Sequence, residues 1–155
     1  MKNDVLQNDR MRFVKNKASS NLAYLAIVFN VLYFISIYSS DVGNYYYTIT
    51  IGVSVVYNLL FLLTVFLSSE GLKNYKFTYG VIITVIGALQ LVRILGFPTD
   101  AFTSVLSDGS KVMGGGQFAY TVIMLSLSAA AAIASGVIGI VRAIKLERYT
   151  KSIEQ

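Results

Sequence analysis

The sequence predicts an all-α membrane protein, a bundle of four transmembrane helices with both termini cytoplasmic and one longer outer loop between helices three and four. Three observations predict it. First, 55% of the 155 residues are hydrophobic and only 14% are charged, where soluble domains run at about 45–50% apolar and about 25% charged. Second, the mean hydropathy of +0.61 comes from four long apolar blocks. Each is near the roughly 20 residues that cross a hydrocarbon core of about 30 Å. Third, the basic residues gather at one set of block ends.

The elements follow in chain order. Residues 1–20 form a basic cytoplasmic segment in which Val5, Leu6, Met11, Phe13 and Val14 are mixed with Lys2, Arg10, Arg12, Lys15 and Lys17. That mixture suits either an amphipathic helix on the inner leaflet or a solvated tail. The transmembrane domain spans 21–144, with helices expected at about 21–39, 46–67, 77–95 and 118–141. The first block is too long for the apolar core of a cleaved signal peptide, and Tyr38-Ser39-Ser40-Asp41 does not read as a cleavage site, so it is a retained helix. Residues 40–45 and 68–76 are short links that make helices one, two and three antiparallel neighbours.

Residues 96–116 form the outer loop. Pro98 ends the third helix, because it supplies no amide and restricts the residue before it. Asp108-Gly109 lies between two short flanks and suits a type I′ hairpin turn. Gly114-Gly115-Gly116 lacks the Gly-Lys-Ser/Thr of a phosphate loop and reads as a flexible lead into the fourth helix. Residues 145–155 are a basic cytoplasmic tail.

Orientation rests on lysine and arginine. Eleven of the thirteen lie before helix one, between helices two and three, or after helix four, and such an excess marks the cytoplasmic side. Tyrosines agree, since their wet hydroxyl and apolar ring favour headgroup depth. Tyr24, Tyr75, Tyr79 and Tyr149 map to the inner boundary, and Tyr38, Tyr45, Tyr46, Tyr47 and Tyr120 to the outer one. Tyr33 and Tyr57 fall inside helices and are candidates for interhelical hydrogen bonds.

Composition also excludes chemistry. With no cysteine and no histidine, thiol nucleophiles, imidazole bases, disulfides and thiolate zinc sites are closed. Paired carboxylates and metal-binding clusters are missing from plausible positions, so no cofactor is expected and the chain reads as non-enzymatic. The net charge of +5 is explained by topology, and no aromatic-basic interleaving suggests nucleic acid.

Three constellations remain. Ile27-Val28-Phe29-Asn30-Val31-Leu32-Tyr33 matches Val55-Val56-Tyr57-Asn58-Leu59-Leu60-Phe61. Because the two helices run in opposite directions, the copies can pack about a pseudo-twofold axis with Asn30 and Asn58 paired. The asparagines serve either as packing glue or as a ligand or ion site. Gln90 and Arg93 share a face with Gly87, and Arg93 either snorkels outward or pairs with Asp41 or Asp100, or else meets a partner carboxylate or a solute. On the fourth helix, Ser128, Ala132, Ser135 and Gly139 form a small-residue packing face that lets backbones approach, against the chain's own helices or another subunit.

The stretch Asn16 to Tyr24 running into Phe29 to Tyr33, with Asp41-Val42-Gly43, Val56-Tyr57-Asn58, Ser69-Glu70-Gly71 and Gly87-Ala88-Leu89-Gln90 plus Arg93, resembles small uncharacterised four-helix membrane proteins of Gram-positive bacteria encoded near carbohydrate ABC-transporter permeases. The resemblance covers helices one to three, and the fourth matches only in alanine and serine richness. No site residues transfer from it. It implies a bacterial cytoplasmic membrane protein that serves a permease as an accessory or assembly subunit. The other reading is a self-assembling small pore or solute-binding module using Asn30, Asn58, Gln90 and Arg93. Expected partners are therefore the lipid bilayer, a larger permease subunit or further copies of the chain.

Overall fold

A peptide group in hydrocarbon has no water to bond, so a crossing chain must satisfy its own backbone, and apolar blocks of this length do so as helices. The computed structural model describes residues 2–38 and 48–154. They form α1 (Lys2–Phe13), α2 (Lys17–Tyr38), α3 (Thr48–Lys73), α4 (Phe77–Ile94), α5 (Phe97–Thr103) and α6 (Gly115–Ile153). Helices α2, α3, α4 and α6 are long and apolar enough to cross a membrane, the architecture of a multi-pass membrane protein. Among the described residues there is no strand, only one antiparallel bridge between Val105 and Lys111.

The four long helices alternate in direction around a square in which chain neighbours are spatial neighbours and α6 closes the ring against α2. Their buried residues recur at alternating steps of three and four. On α2 these are Ala23, Ala26, Asn30, Tyr33 and Ile37; on α3 Asn58, Phe61, Val65, Ser68 and Leu72; on α4 Gly80, Ile83, Gly87 and Gln90. This is the seam spacing of left-handed bundle packing. The fourth spanning helix is the most deeply packed: 44% of its most apolar window is buried against 22% for α4, so α6 is the helix on which the bundle is built.

Several helix ends fall outside the expected bounds, and each has a local cause. Helix α2 starts at Lys17 rather than 21 because Asn16 caps it, accepting the Ser19 amide at 3.4 Å on Oδ1. Helix α3 runs on past 67 to Lys73, its serines bonded back to the helix, as in Ser69 Oγ to the Phe66 carbonyl at 2.7 Å. Residues 46 and 47 lie outside the described residues. Helix α6 (Gly115–Ile153) starts slightly before 118 and runs well beyond 141. The expected tail at 145–155 is mostly its last turns, supported by Lys151 donating to Glu147 at 2.7 Å across i,i+4. Its 39 residues span about 58 Å, roughly twice a hydrocarbon core, so one end must project.

The connection 96–116 is folded. Helix α4 stops at Ile94, and Pro98 sits in the first turn of α5, where a missing amide costs nothing. The hairpin is present, but its turn is not type I′. Only Gly109 has a positive φ, at +85°, while the Gly109 amide donates to Leu106 O at 3.0 Å and the Leu106 amide to Ser110 O at 2.8 Å. That pattern is a three-residue loop with glycine in the left-handed position. Two of the three glycines expected as a flexible lead, Gly115 and Gly116, are helical, with Gly114 before them. Ala101, Val112 and Met113 pack with Tyr33, Ile37 and Leu125, plugging this end of the bundle.

At the opposite end the α1–α2 link, the α3–α4 turn and α6 near Arg142 meet. The amides of Lys76 and Tyr75 donate to Gly71 O and Leu72 O, both at 3.1 Å, a helix stop that needs a left-handed residue. Tyr75 fills that place with φ +55°, which glycine would adopt more easily. Its hydroxyl donates to Val14 O at 2.8 Å, latching the α1–α2 link. Burial pushes the Tyr75 phenol above its usual 10.0, opposed by Arg142, so the hydroxyl keeps its proton through neutral pH and the latch weakens only as pH rises through the raised value.

Candidate functional site

Three helices contribute to one polar cluster nearer the loop end of the bundle. Helix α2 brings Asn30 and Tyr33, α3 brings Ser54, Tyr57 and Asn58, and α4 brings Gln90 and Arg93. Spacings of three and four place each set on one face. Asn58 Nδ2 donates to Ser54 O one turn back at 2.9 Å, which turns Oδ1 toward the other helices. That oxygen accepts from Asn30 Nδ2 at 3.3 Å and from Arg93 Nη1 at 2.9 Å. Asn30 Oδ1 in turn accepts from Gln90 Nε2 at 2.8 Å. The mirrored motif therefore does place its two asparagines in contact, and the polar chain runs Gln90, Asn30, Asn58, Arg93 across three helices.

Arg93 does not snorkel. Its Nη2 donates to Tyr33 Oη at 3.2 Å and reaches Ser54 Oγ at 3.5 Å, and its Cζ lies 4.5 Å from the Tyr33 ring centroid and 4.8 Å from that of Tyr57. Tyr57 thus contributes a ring face and not the interhelical hydrogen bond expected of it. Aromatic faces attract a desolvated guanidinium by about 2 kcal/mol each at most, and the neutral oxygens add to that. Asp100 is exposed and makes no ion pair with Arg93, while Asp41 lies outside the described residues. Among the described residues no carboxylate meets this cation.

Chemically, the cluster is a set of neutral hydrogen-bonding groups gathered around one cation. What it offers is donors at Arg93 and an acceptor at Gln90, whose Oε1 is fully buried without a hydrogen-bond partner among the described residues. No group of three or more His, Cys, Asp or Glu side chains that could hold a metal is present among the residues described.

The small-residue face packs inside the bundle. Ser128 Oγ donates to Ala26 O at 2.9 Å, and Ser19 and Ser135 each donate to the other's carbonyl, the latter at 2.7 Å. Ala132 lies against Gly87, and Gly139 faces Leu72 and Ser19. Sequence reasoning missed a second such seam, where Gly80 and Thr84 of α4 meet Gly136 of α6. The seven-residue step from Gly80 to Gly87 was its signal. Also missed was Asn16, fully buried, whose Oδ1 accepts from Arg142 Nη1 at 2.6 Å and ties α6 to the start of α2.

Beside the cluster, Tyr57, Leu60, Phe61, Thr64, Ile86 and Leu89 line an apolar crevice of about 180 Å³ between α3 and α4, open to the outside of the bundle. Comparison with protein-family models, with curated proteins and with solved structures finds no match to this chain.

Proposed function

We propose that this chain is a non-enzymatic subunit of the bacterial cytoplasmic membrane, with both termini in the cytoplasm, that assembles with a larger transport permease. The resemblance described above favours a carbohydrate ABC-type importer. The observation that carries the reading is Arg93, a cation at membrane depth held only by neutral groups. Tyr57 is shared between that cation and the apolar crevice, so a partner helix laid along α3 and α4 can bury apolar surface and bring an acceptor or carboxylate toward the guanidinium. Supporting the orientation, the end bearing both termini collects eleven of the thirteen lysines and arginines.

Two experiments test it. The chain has no cysteine, so Lys111→Cys in the exposed hairpin is a unique label site, and a membrane-impermeant maleimide added to intact cells should modify it. Labelling only after lysis reverses the orientation. A tagged chain extracted in mild detergent should carry permease subunits with it, and Arg93→Gln should lower their recovery roughly tenfold, as loss of a charge-assisted bond implies. Recovery of the chain alone, under conditions where permease subunits stay intact, overturns the assembly reading. The second reading, a solute-binding module, is favoured by the buried, unpartnered acceptor on Gln90, and its mark would be solute flux in liposomes holding this chain alone.

A further inference from the structure

Helix α1 lies against α6 at the termini end, and the link behind it is folded inward by two bonds: the Asn16 amide to Lys73 O at 3.0 Å, and the Tyr75 hydroxyl to Val14 O. This fold leaves two adjoining recesses of about 310 and 190 Å³ that share Met11, Val14, Lys15 and Tyr75. The larger adds Arg12 and Lys73, the smaller Arg10 and Arg142, and among the described residues no acidic side chain lines either. Nearby carboxylates are already engaged: Asp9 lies 3.8 Å from Arg12, and Glu70 pairs with Lys73 and accepts from Tyr24 at 3.0 Å. Both of those acids are exposed pairs that water competes for, so they leave a positive excess facing the recess.

Three features say that this is a site and not a diffuse basic surface. Arg142 is aimed by the fully buried Asn16, whose Nδ2 is itself a buried donor without a partner among the described residues. Tyr75, on the shared wall, is fixed by the helix stop and by its hydroxyl bond to Val14 O, so the wall between the two recesses is held in place. The larger recess has the volume of a small-ligand site, roughly 300 Å³ and upward.

We infer that the recess binds a phosphate group carried by an anionic phospholipid headgroup. Its depth selects the lipid: the recess sits between the start of α2 at Lys17, the end of α3 at Lys73 and the start of α4 at Phe77, where the apolar spans give way to polar chain. Phe13 and Val14 on its wall are 79% and 44% exposed, an apolar rim suited to acyl chains. Basic pockets at this depth take acidic headgroups at about 1 kcal/mol per cation.

The test uses the full chain in nanodiscs of phosphatidylcholine, with and without phosphatidylglycerol. Phosphatidylglycerol should raise the thermal midpoint and remain bound in native mass spectrometry. Arg10→Gln with Lys15→Gln should weaken that binding roughly tenfold or more, leaving the midpoint in pure phosphatidylcholine unchanged. The control pair Lys145→Gln with Arg148→Gln removes the same charge from exposed positions of α6 outside the recess and should retain binding. Equal loss in both pairs, or no preference for phosphatidylglycerol in the unaltered chain, overturns the site. Millimolar inorganic phosphate in phosphatidylcholine discs should have no effect, and a shift matching that of phosphatidylglycerol would overturn the lipid assignment.

Discussion

Asn58→Leu lowers the stability of the bundle by about 2–3 kcal/mol, Arg93→Met costs less, and combining them costs less than the sum. The asymmetry comes from one atom. Asn58 Oδ1 accepts from both Asn30 and Arg93, so leucine, which keeps the branched heavy-atom skeleton and is somewhat bulkier, opens no cavity but strands a neutral donor and part of a cation. Interhelical bonds between neutral groups in membranes average about 0.6 kcal/mol and reach about 1.7, because the dissociated helices also find partners. A bond to a charge is worth about 1.5–3 kcal/mol, and the guanidinium that loses it keeps only the Tyr33 and Ser54 hydroxyls and the two ring faces. Arg93→Met keeps an apolar stem and removes the half-buried charge whose partial desolvation calls for the partner. In the Asn58→Leu background it should therefore be nearly neutral. Unfolding curves in mixed detergent micelles, followed by helical circular dichroism, supply the four corners of the cycle. A coupling below about 0.5 kcal/mol between these contacting residues would sink the idea that they act as one network.

How far the sequence could lead depended on what decided each feature. The spans were legible because length and hydropathy alone select them. Asn30 and Asn58 were legible as a pair because the mirrored motif fixes where antiparallel copies meet. The inward course of Arg93 was not, since one turn from the helix end both snorkelling and burial are open to it, and the choice falls to Tyr33, Tyr57 and Asn58 on two other helices. The polar turn Lys17 to Ser20 looked like cytoplasmic tail. It is helical because Asn16 caps it and because Ser19 bonds across to Ser135. Likewise Asp108-Gly109 signalled a turn correctly, but the turn type depends on Asp108 keeping a negative φ, which a dipeptide does not reveal. The serines and glycines of α6 declared a packing face, yet that α6 packs on both α2 and α4 follows only from the closed square.

That position of α6 makes Gly136 the residue least tolerant of a methyl group. Alanine in place of glycine inside a helix is ordinarily favourable by about 0.5–1 kcal/mol. Gly52 of α3 should show that gain, because a Cβ there meets nothing within 4 Å. At Gly136 a Cβ would stand 2.1 Å from Thr84 Oγ1, 2.7 Å from Gly80 O and 2.9 Å from Ile83 Cγ2. The Gly80 carbonyl is backbone within α4, and Thr84 Oγ1 donates to it at 2.8 Å, so neither oxygen can move aside without disturbing the other. The two helices must instead separate along their contact, giving up close backbone packing that lipid does not replace with a hydrophobic drive. Overpacking costs of about 1–3 kcal/mol outweigh the propensity gain, so Gly136→Ala should be net destabilising by about 1–2 kcal/mol. Gly139→Ala should fall between these extremes, since its nearest neighbour at 2.3 Å is the movable Leu72 Cδ2. Adding Thr84→Ala to Gly136→Ala should recover part of the loss and no more, because the Gly80 carbonyl remains. Thermal midpoints in one detergent that rank Gly52→Ala highest, then Gly139→Ala, then Gly136→Ala would establish this order, and a Gly136→Ala chain as stable as the original would mean that α4 and α6 do not meet through these glycines.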